Sequence, residues 1–307
     1  MTKARQLADL GNAYDDGAIT GSNMIINGGF NVWQRGTSFS NFNHAYSTDR
    51  WKLSAASSAS VNKTSDAIYG NVCQITLGST DTNFVQIVEN LDGFMANKDM
   101  TLSFWVKSST ITSSHCVAYN GSGFTHDVAY NVSGSWTKVV LNFNTGSTYT
   151  AGTSFSLYLL RNSNTTGVIE FAQVQLEVGD TATPFERRSY GDELAKCQRY
   201  YYMLAEGLNQ SLPTGSYYNT NLITTTVQFP VTMRTAPTLD SPSGSEYYGL
   251  YSTNGFDGFS NFSTTGRTQT RGITLDAHNT GASGTMGNSG PMKTNNANAY
   301  VALDAEL

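Results

Sequence analysis

The sequence predicts an all-β protein: a jelly-roll β-sandwich, then a short helix and a smaller C-terminal β-domain, with a short N-terminal helix. Only 13% of the 307 residues are charged, whereas Gly, Ser, Thr, Asn and Tyr are abundant. β-Branched and aromatic side chains fit a half-buried pleated surface, and clusters of Gly, Asn and Ser favour the turns between strands. Short apolar alternations recur along most of the chain, which is typical of sandwiches and jelly rolls.

Residues 1–22 are predicted to be an N-terminal attachment segment and linker. Leu7 and Leu10 lie on one narrow apolar stripe, and Gly11 can end a helix in the left-handed conformation. A helix of about two turns is marginal in water on its own. We therefore expect Leu7 and Leu10 to be held by a partner surface.

Strand-like segments fill residues 23–186, the predicted jelly-roll domain. They are residues 24–27, 49–53, 72–77, 101–107, 136–143, 155–160 and 168–178. In the fourth segment Leu102, Phe104 and Val106 share one face, so strand alternation points Trp105 away from the core.

A connecting helix is predicted within residues 187–206. Ser189 and Asp192 have the spacing of a capping box, and Leu194 and Cys197 follow at helical intervals. Residues 207–307 are predicted to form the C-terminal β-rich domain. Because that third is rich in Gly, Ser, Thr and Asn, we expect a weak core that needs identical copies, and hence a homotrimer.

Composition argues against several function classes. The formal net charge is −5 and the pI is about 5.3, so no basic stripe for nucleic acid is expected. The three cysteines are widely spaced, which fits neither a zinc pair nor a disulfide framework. No apolar run approaches the ~20 residues of a membrane span, and the first residues lack a signal-peptide pattern. We expect synthesis in a cytoplasm and no membrane insertion.

Several motifs occur in a fixed order along residues 24–203. They are NGGFNVWQRGTSF (27–39), YSTDRW (46–51), MTLSFWVK (100–107), GSWT (134–137), QVQLEVG (173–179), PFERRSYG (184–191) and ELAKCQRYY (193–201). This set resembles the jelly-roll modules of phage tail-fibre and other phage structural proteins, whose fold is similar to carbohydrate-binding modules. FPVTMR (229–234) with APT (236–238) resembles the end domain after such modules, and KARQLADLGN (3–12) resembles the attachment segment of marine phage fibres.

The resemblance implies a bacteriophage virion surface protein, made in the host bacterial cytoplasm and located on a tail fibre or the capsid exterior. The leading interpretation is a tail fibre or receptor-binding protein that attaches to host surface glycans, joined to other virion proteins through its N-terminal segment. The alternative is a capsid head fibre or decoration protein with a structural role. A polysaccharide depolymerase is a distant third.

Four residues are predicted to form a carbohydrate site on one sheet: Trp105, Tyr158, Gln173 and Gln175. Sugar binding requires an aromatic ring that stacks on the apolar face of a pyranose, surrounded by hydrogen-bonding groups. Trp105 and Tyr158 lie opposite the apolar faces of their strands, and alternation puts both glutamines on one face of the last strand. The alternative is that Trp105 packs against a loop or a second subunit, since Trp is mostly buried.

No enzymatic activity and no cofactor are predicted. The acids Glu170, Glu177, Asp180 and Glu186 are available, but no spacing marks two of them as a catalytic pair. Related jelly rolls carry a structural calcium, whose ligand is an acid just after the Asn-Gly-x-Phe start. Here that position is Asn31, and a neutral amide binds Ca²⁺ more weakly than a carboxylate.

Overall fold

The computed structural model describes residues 23–40, 45–55, 59–78, 81–90, 94–120, 123–147, 149, 153–162, 165–264, 266–278 and 281–307. The predicted N-terminal segment, with Leu7 and Leu10, lies outside the described residues. The chain divides into two compact units, with the border between Glu193 and Leu194. Strands dominate both units, which confirms the all-β prediction.

The first unit is a sandwich of two six-stranded antiparallel sheets. Sheet A contains, in spatial order, β1 (Ser38–Ser40), β4 (Ser60–Asp66), β5 (Gly70–Leu77), β12 (Gly167–Val178), β7 (Asp99–Lys107) and β10 (Thr137–Asn144). Sheet B contains β2 (Ala45–Tyr46), β3 (Trp51–Ala55), β6 (Thr82–Asn90), β11 (Thr153–Asn162), β8 (Ser113–Tyr119) and β9 (Phe124–Asn131). From β5 to β8 successive strands alternate between the sheets.

An aromatic core joins the inner faces of the two sheets. Trp51 and Phe84 of sheet B stack with ring centroids 4.8 Å apart, and Phe84 lies 6.2 Å from Phe171 of sheet A. Phe104 contacts Phe171 edge-on at 6.0 Å. All four side chains are fully buried, so they exclude water from the space between the sheets.

The predicted strand at residues 24–27 is wrong. This stretch leads into a turn, in which Asn27 and Phe30 have φ values of 58° and 52°. The buried Asn27 amide holds the turn: its nitrogen donates to the backbone oxygen of Val32 at 2.8 Å, and its oxygen accepts from the Val32 N–H at 3.0 Å. A side chain that replaces ladder hydrogen bonds in this way favours a turn over a strand.

The connecting helix α1 (Tyr190–Gln198) is shorter than predicted. Ser189 caps it as the motif indicated, because its hydroxyl accepts from the Asp192 N–H at 3.2 Å and donates to the Asp192 carboxylate at 2.7 Å. The helix does not continue to residue 206. Residues 201–206 are a strand instead, because they pair with residues 300–304 near the other end of the second unit.

The second unit contains a three-stranded and a seven-stranded antiparallel sheet. Sheet C contains β13 (Tyr201–Glu206), β22 (Tyr300–Asp304) and β16 (Thr238–Asp240). Sheet D contains β18 (Gly255–Phe259), β17 (Tyr248–Ser252), β21 (Ser289–Thr294), β14 (Ser211–Asn219), β15 (Leu222–Gln228), β20 (Gly272–His278) and β19 (Thr268–Gln269).

This unit has a core of its own, which corrects the expectation of a weak one. Tyr248, Phe259, Ile273 and Val301 are among its buried side chains, and Phe259 and Phe262 pack edge-on at 5.0 Å. Scattered apolar residues at alternate strand positions meet on one face, although the composition of the segment is polar. The weak-core argument for a homotrimer therefore fails, and the homotrimer stays an untested prediction. In the part of the chain that the structure describes, no helix is long and apolar enough to cross a membrane.

Candidate functional site

The outer face of sheet A is half covered by the chain that follows β12. Thr183 and Pro184 lie over this half, and both accept hydrogen bonds from the Gln175 amide, at 3.0 and 3.3 Å. The Gln175 side-chain oxygen accepts from the Glu186 N–H at 2.7 Å. Gln175 is fully buried and its amide is engaged by these partners, so its side chain is not exposed on this face. The other half of the face stays open.

The open half carries a cluster of three aromatic side chains, which we call the aromatic cluster: Tyr69, Trp105 and Trp136. Trp105 lies on β7, between Lys138 of β10 and Ala172 of β12. The Tyr69 ring lies 4.7 Å from the Trp105 ring and 5.0 Å from the Trp136 ring, and the rings are tilted against each other. All three side chains are partly exposed. They form a ridge that is apolar on its faces and polar at its edges.

Polar groups surround the aromatic cluster. The Lys107 ammonium lies 4.8 Å from the centre of the Trp136 ring and 2.8 Å from a Glu170 oxygen. The other Glu170 oxygen accepts from the Gln74 amide at 3.1 Å. These side chains keep part of their surface in solvent, so their remaining donors and acceptors can serve a ligand with hydroxyl groups.

Asp66 fixes the orientation of Trp136. Its carboxylate accepts from the Ile68 N–H at 2.8 Å and from the Trp136 indole N–H at 2.9 Å. These hydrogen bonds lower the pKa of Asp66 below its ordinary value of 3.8. Burial, and then the nearby Asp66 charge, raise the pKa of the Tyr69 hydroxyl above 10. At neutral pH the cluster therefore has an ionised Asp66 and a neutral Tyr69.

A pocket of about 370 Å³ opens beside Tyr69. Its polar lining includes the amide side chains of Asn31, Asn71 and Gln173, and its other lining residues include Phe185 and Arg187. The Asn31 side-chain oxygen accepts from the Asn71 amide at 2.7 Å. We refer to this cavity as the amide pocket.

Gln173 reaches the amide pocket through a β-bulge and not through strand alternation. Ala172 pairs with Trp105 and Gln175 pairs with Ser103, so two residues of β12 stand opposite one residue of β7. Gln173 has a φ of 51°, an uncommon conformation for a residue that is not glycine. The bulge breaks the predicted alternation, and Gln173 and Gln175 do not act together.

The turn at residues 26–29 holds this bulge in place. The Val174 N–H donates to the Gly28 oxygen at 2.8 Å. A Cβ atom on Gly28 would lie 2.1 Å from the Val174 oxygen, so only glycine permits this approach. The Asn-Gly-Gly-Phe motif thus positions Gln173.

Tyr158 does not belong to this site. It lies on β11 of sheet B, where it lines a shallow cavity together with Lys52 and Ser156. Trp105 lies on sheet A, so the prediction that the two aromatic residues share one sheet is wrong. Strand alternation identifies an outward side chain, but it does not identify the sheet.

The side chains weighed as a metal ligand or as catalytic acids have partners within the protein. The Asn31 oxygen is engaged by Asn71, and the described residues contain no group of three His, Cys, Asp or Glu side chains placed to hold a metal ion. Glu177 accepts from the Thr183 N–H at 3.1 Å, while Glu170 pairs with Lys107. Within the described residues, no contact joins two of the four acids weighed for catalysis, which are Glu170, Glu177, Asp180 and Glu186.

Comparison with known proteins gives a fold likeness. No protein-family model and no curated protein matches the chain in sequence. Among solved structures, a bacteriophage CBA120 tailspike protein 4 domain described as enzymatically active has 16% identity and a TM-score of 0.36, over 51% of this chain and 21% of that one. TmCBM61 in complex with β-1,4-galactotriose has 14% identity and a TM-score of 0.34, over 51% of this chain and 99% of that one.

A Stig cyclase from Fischerella sp. TAU has 13% identity and a TM-score of 0.39, over 52% of this chain and 98% of that one. These proteins have different activities, and a fold by itself does not imply a function. The function of this chain must therefore be inferred from the residues of its open face.

Proposed function

We propose that this protein is a bacteriophage virion surface protein, a tail fibre or receptor-binding protein, that attaches to host surface glycans through the open half of sheet A. One observation carries the proposal: three partly exposed aromatic side chains lie beside hydrogen-bonding groups on a face that the chain otherwise covers. The resemblance of the ordered motifs to phage jelly-roll modules supports the virion role. Residues 1–22 would attach the protein to other virion proteins.

The chemistry of the open face suits a sugar. An aromatic ring stacks on the apolar C–H face of a pyranose, and each such contact contributes on the order of 1 kcal/mol beyond the burial of area. Lys107, Glu170 and Gln74 offer donors and acceptors for ring hydroxyls at the edge of the cluster. The role proposed is binding without catalysis, since the acids of this face are engaged in ion pairs and hydrogen bonds.

A structural role, as in a head fibre or decoration protein, is the second candidate. It is favoured by the contacts inside the aromatic cluster, since Tyr69 lies against both Trp rings and Trp136 is bonded to Asp66. Such contacts would also fasten the β4–β5 hairpin to the sheet. The two candidates predict different behaviour for Trp105.

The test compares Trp105→Ala with Tyr158→Ala, an equally outward aromatic residue on the other sheet. If Trp105 stacks on a sugar, its loss should weaken binding to host-cell polysaccharide by about tenfold or less, without unfolding the domain. Tyr158→Ala should bind like the parent protein. Two results would contradict glycan binding and favour the structural role. One is a parent protein that binds no host polysaccharide, and the other is a Trp105→Ala variant that loses roughly 3–5 kcal/mol of stability.

A further inference from the structure

We propose that the amide pocket binds the carboxylate of an acidic sugar, so that the glycan recognised is a hexuronate-type polysaccharide. The inference rests on the proposed glycan binding and names the class of sugar. The charge of the pocket lining differs from that of the whole protein. The protein has a net charge of −5, yet the pocket lining includes two arginines and no carboxylate.

The two arginines are not equivalent. Arg188 is built into the fold: only 9% of its side chain is exposed, it donates to the Ile25 oxygen at 3.0 Å, and it lies 3.4 Å from a Glu193 oxygen. Its charge is therefore compensated within the protein. Arg187 is exposed, and its side chain makes no hydrogen bond or ion pair among the described residues. It is the cation of the pocket that a ligand can engage.

Two acids adjacent to lining residues, Asp66 and Glu186, have other partners. Asp66 is not part of the lining, and its oxygens accept from Ile68 and Trp136. Glu186 is also outside the lining; it lies 3.5 Å from Arg188 and accepts from the Asn23 N–H at 2.7 Å. An incoming carboxylate therefore meets a guanidinium that is free to form two parallel hydrogen bonds.

The rest of the pocket fits a sugar ring. The Gln173 amide makes no hydrogen bond among the described residues, and the strained backbone of the bulge presents it at the pocket. Strain retained at a cavity wall is common where the residue serves a ligand. Phe185 and Tyr69 supply apolar surface, and Tyr69 also belongs to the aromatic cluster, so one chain of sugars can occupy both places.

The experiment measures binding of the full-length protein to polygalacturonate, alginate and hyaluronan, each beside its carboxyl-reduced neutral form. The parent should prefer at least one acidic polymer over its reduced form by about tenfold, because a hydrogen bond between a guanidinium and a carboxylate is stronger than one between neutral groups. Arg187→Gln should abolish that preference. Arg271→Gln, which removes another exposed arginine in the second unit, should leave it unchanged.

Each other outcome has a distinct meaning. If the parent binds reduced and acidic polymers equally, the assignment of a carboxylate-binding pocket is wrong while glycan binding stands. If Arg187→Gln and Arg271→Gln weaken binding alike, the preference is general electrostatic attraction and the pocket assignment fails. Stronger binding to wall teichoic acid than to every hexuronate would contradict a carboxylate as the bound group and indicate a phosphate group instead. No binding to any polymer, charged or neutral, would count against the proposed function itself.

Discussion

On the open face, the sequence predicts the orientation of some residues correctly and misses the contacts of others. Trp105 alternates with Leu102, Phe104 and Val106, and the structure places it on the outer face, because the strand has no irregularity there. Gln175 also faces outward, but the chain after β12 covers it, and no local pattern reports such a long-range cover. Tyr69 could not be found from the sequence, since it reaches Trp105 only through the β4–β5 hairpin.

The lowered pKa of Asp66 predicts how the stability of the protein depends on pH. Its pKa is lowered in the folded protein, so its contribution to stability is present above about 3.8 and is lost as the pH falls through the lower folded value. Protonation weakens the acceptor for the Trp136 indole, so Trp136 fluorescence should titrate with a midpoint below 3.8. Asp66→Asn should remove this transition, and a midpoint at or above 3.8 in the parent would contradict the assignment.

At the scale of elements, apolar alternation predicted the buried strands and missed the polar ones. The strands β5, β7 and β12 were predicted with boundaries within two residues, because each buries several apolar residues along its length. β4 and β8 were missed, since Ser, Asn, Lys and His on their outward faces obscure the pattern. The residues of β13 fall within the predicted helix, because Tyr201 follows Cys197 at a helical interval.

The contact between the turn at residues 26–29 and the β12 bulge has a direct test. Gly28→Ala would place a methyl group 2.1 Å from the Val174 oxygen, so either the turn or the bulge would have to move. The expected loss is about 1–3 kcal/mol of unfolding free energy, measured by urea denaturation. Gly134→Ala is the matched control, since a Cβ atom there meets nothing within 4 Å. Equal stability of the two variants would show that the bulge does not depend on the turn.

At the scale of the whole molecule, the virion role depends on the N-terminal segment. A deletion of residues 1–11 should leave a folded and soluble protein, because the described cores of both units lie beyond residue 23. The truncated protein should fail to enter virions, as measured by its amount in purified particles. Normal incorporation would contradict an attachment role for Leu7 and Leu10. The copy number per particle separates a tail fibre from a head fibre, because tail fibres follow the low symmetry of the tail.

Glycan binding by the open face of sheet A can be tested through the four tryptophans of the chain. Each indole N–H gives one NMR signal, which can be followed while host polysaccharide fragments are added. Trp105 and Trp136 lie on the open face, whereas the indole of Trp33 donates to the Phe30 oxygen at 2.7 Å and that of Trp51 to the Asn27 oxygen at 3.2 Å. If this face binds glycan, the Trp105 and Trp136 signals should shift in a saturable manner while the Trp33 and Trp51 signals keep their positions. Unchanged signals for Trp105 and Trp136 in the presence of a bound fragment would contradict it.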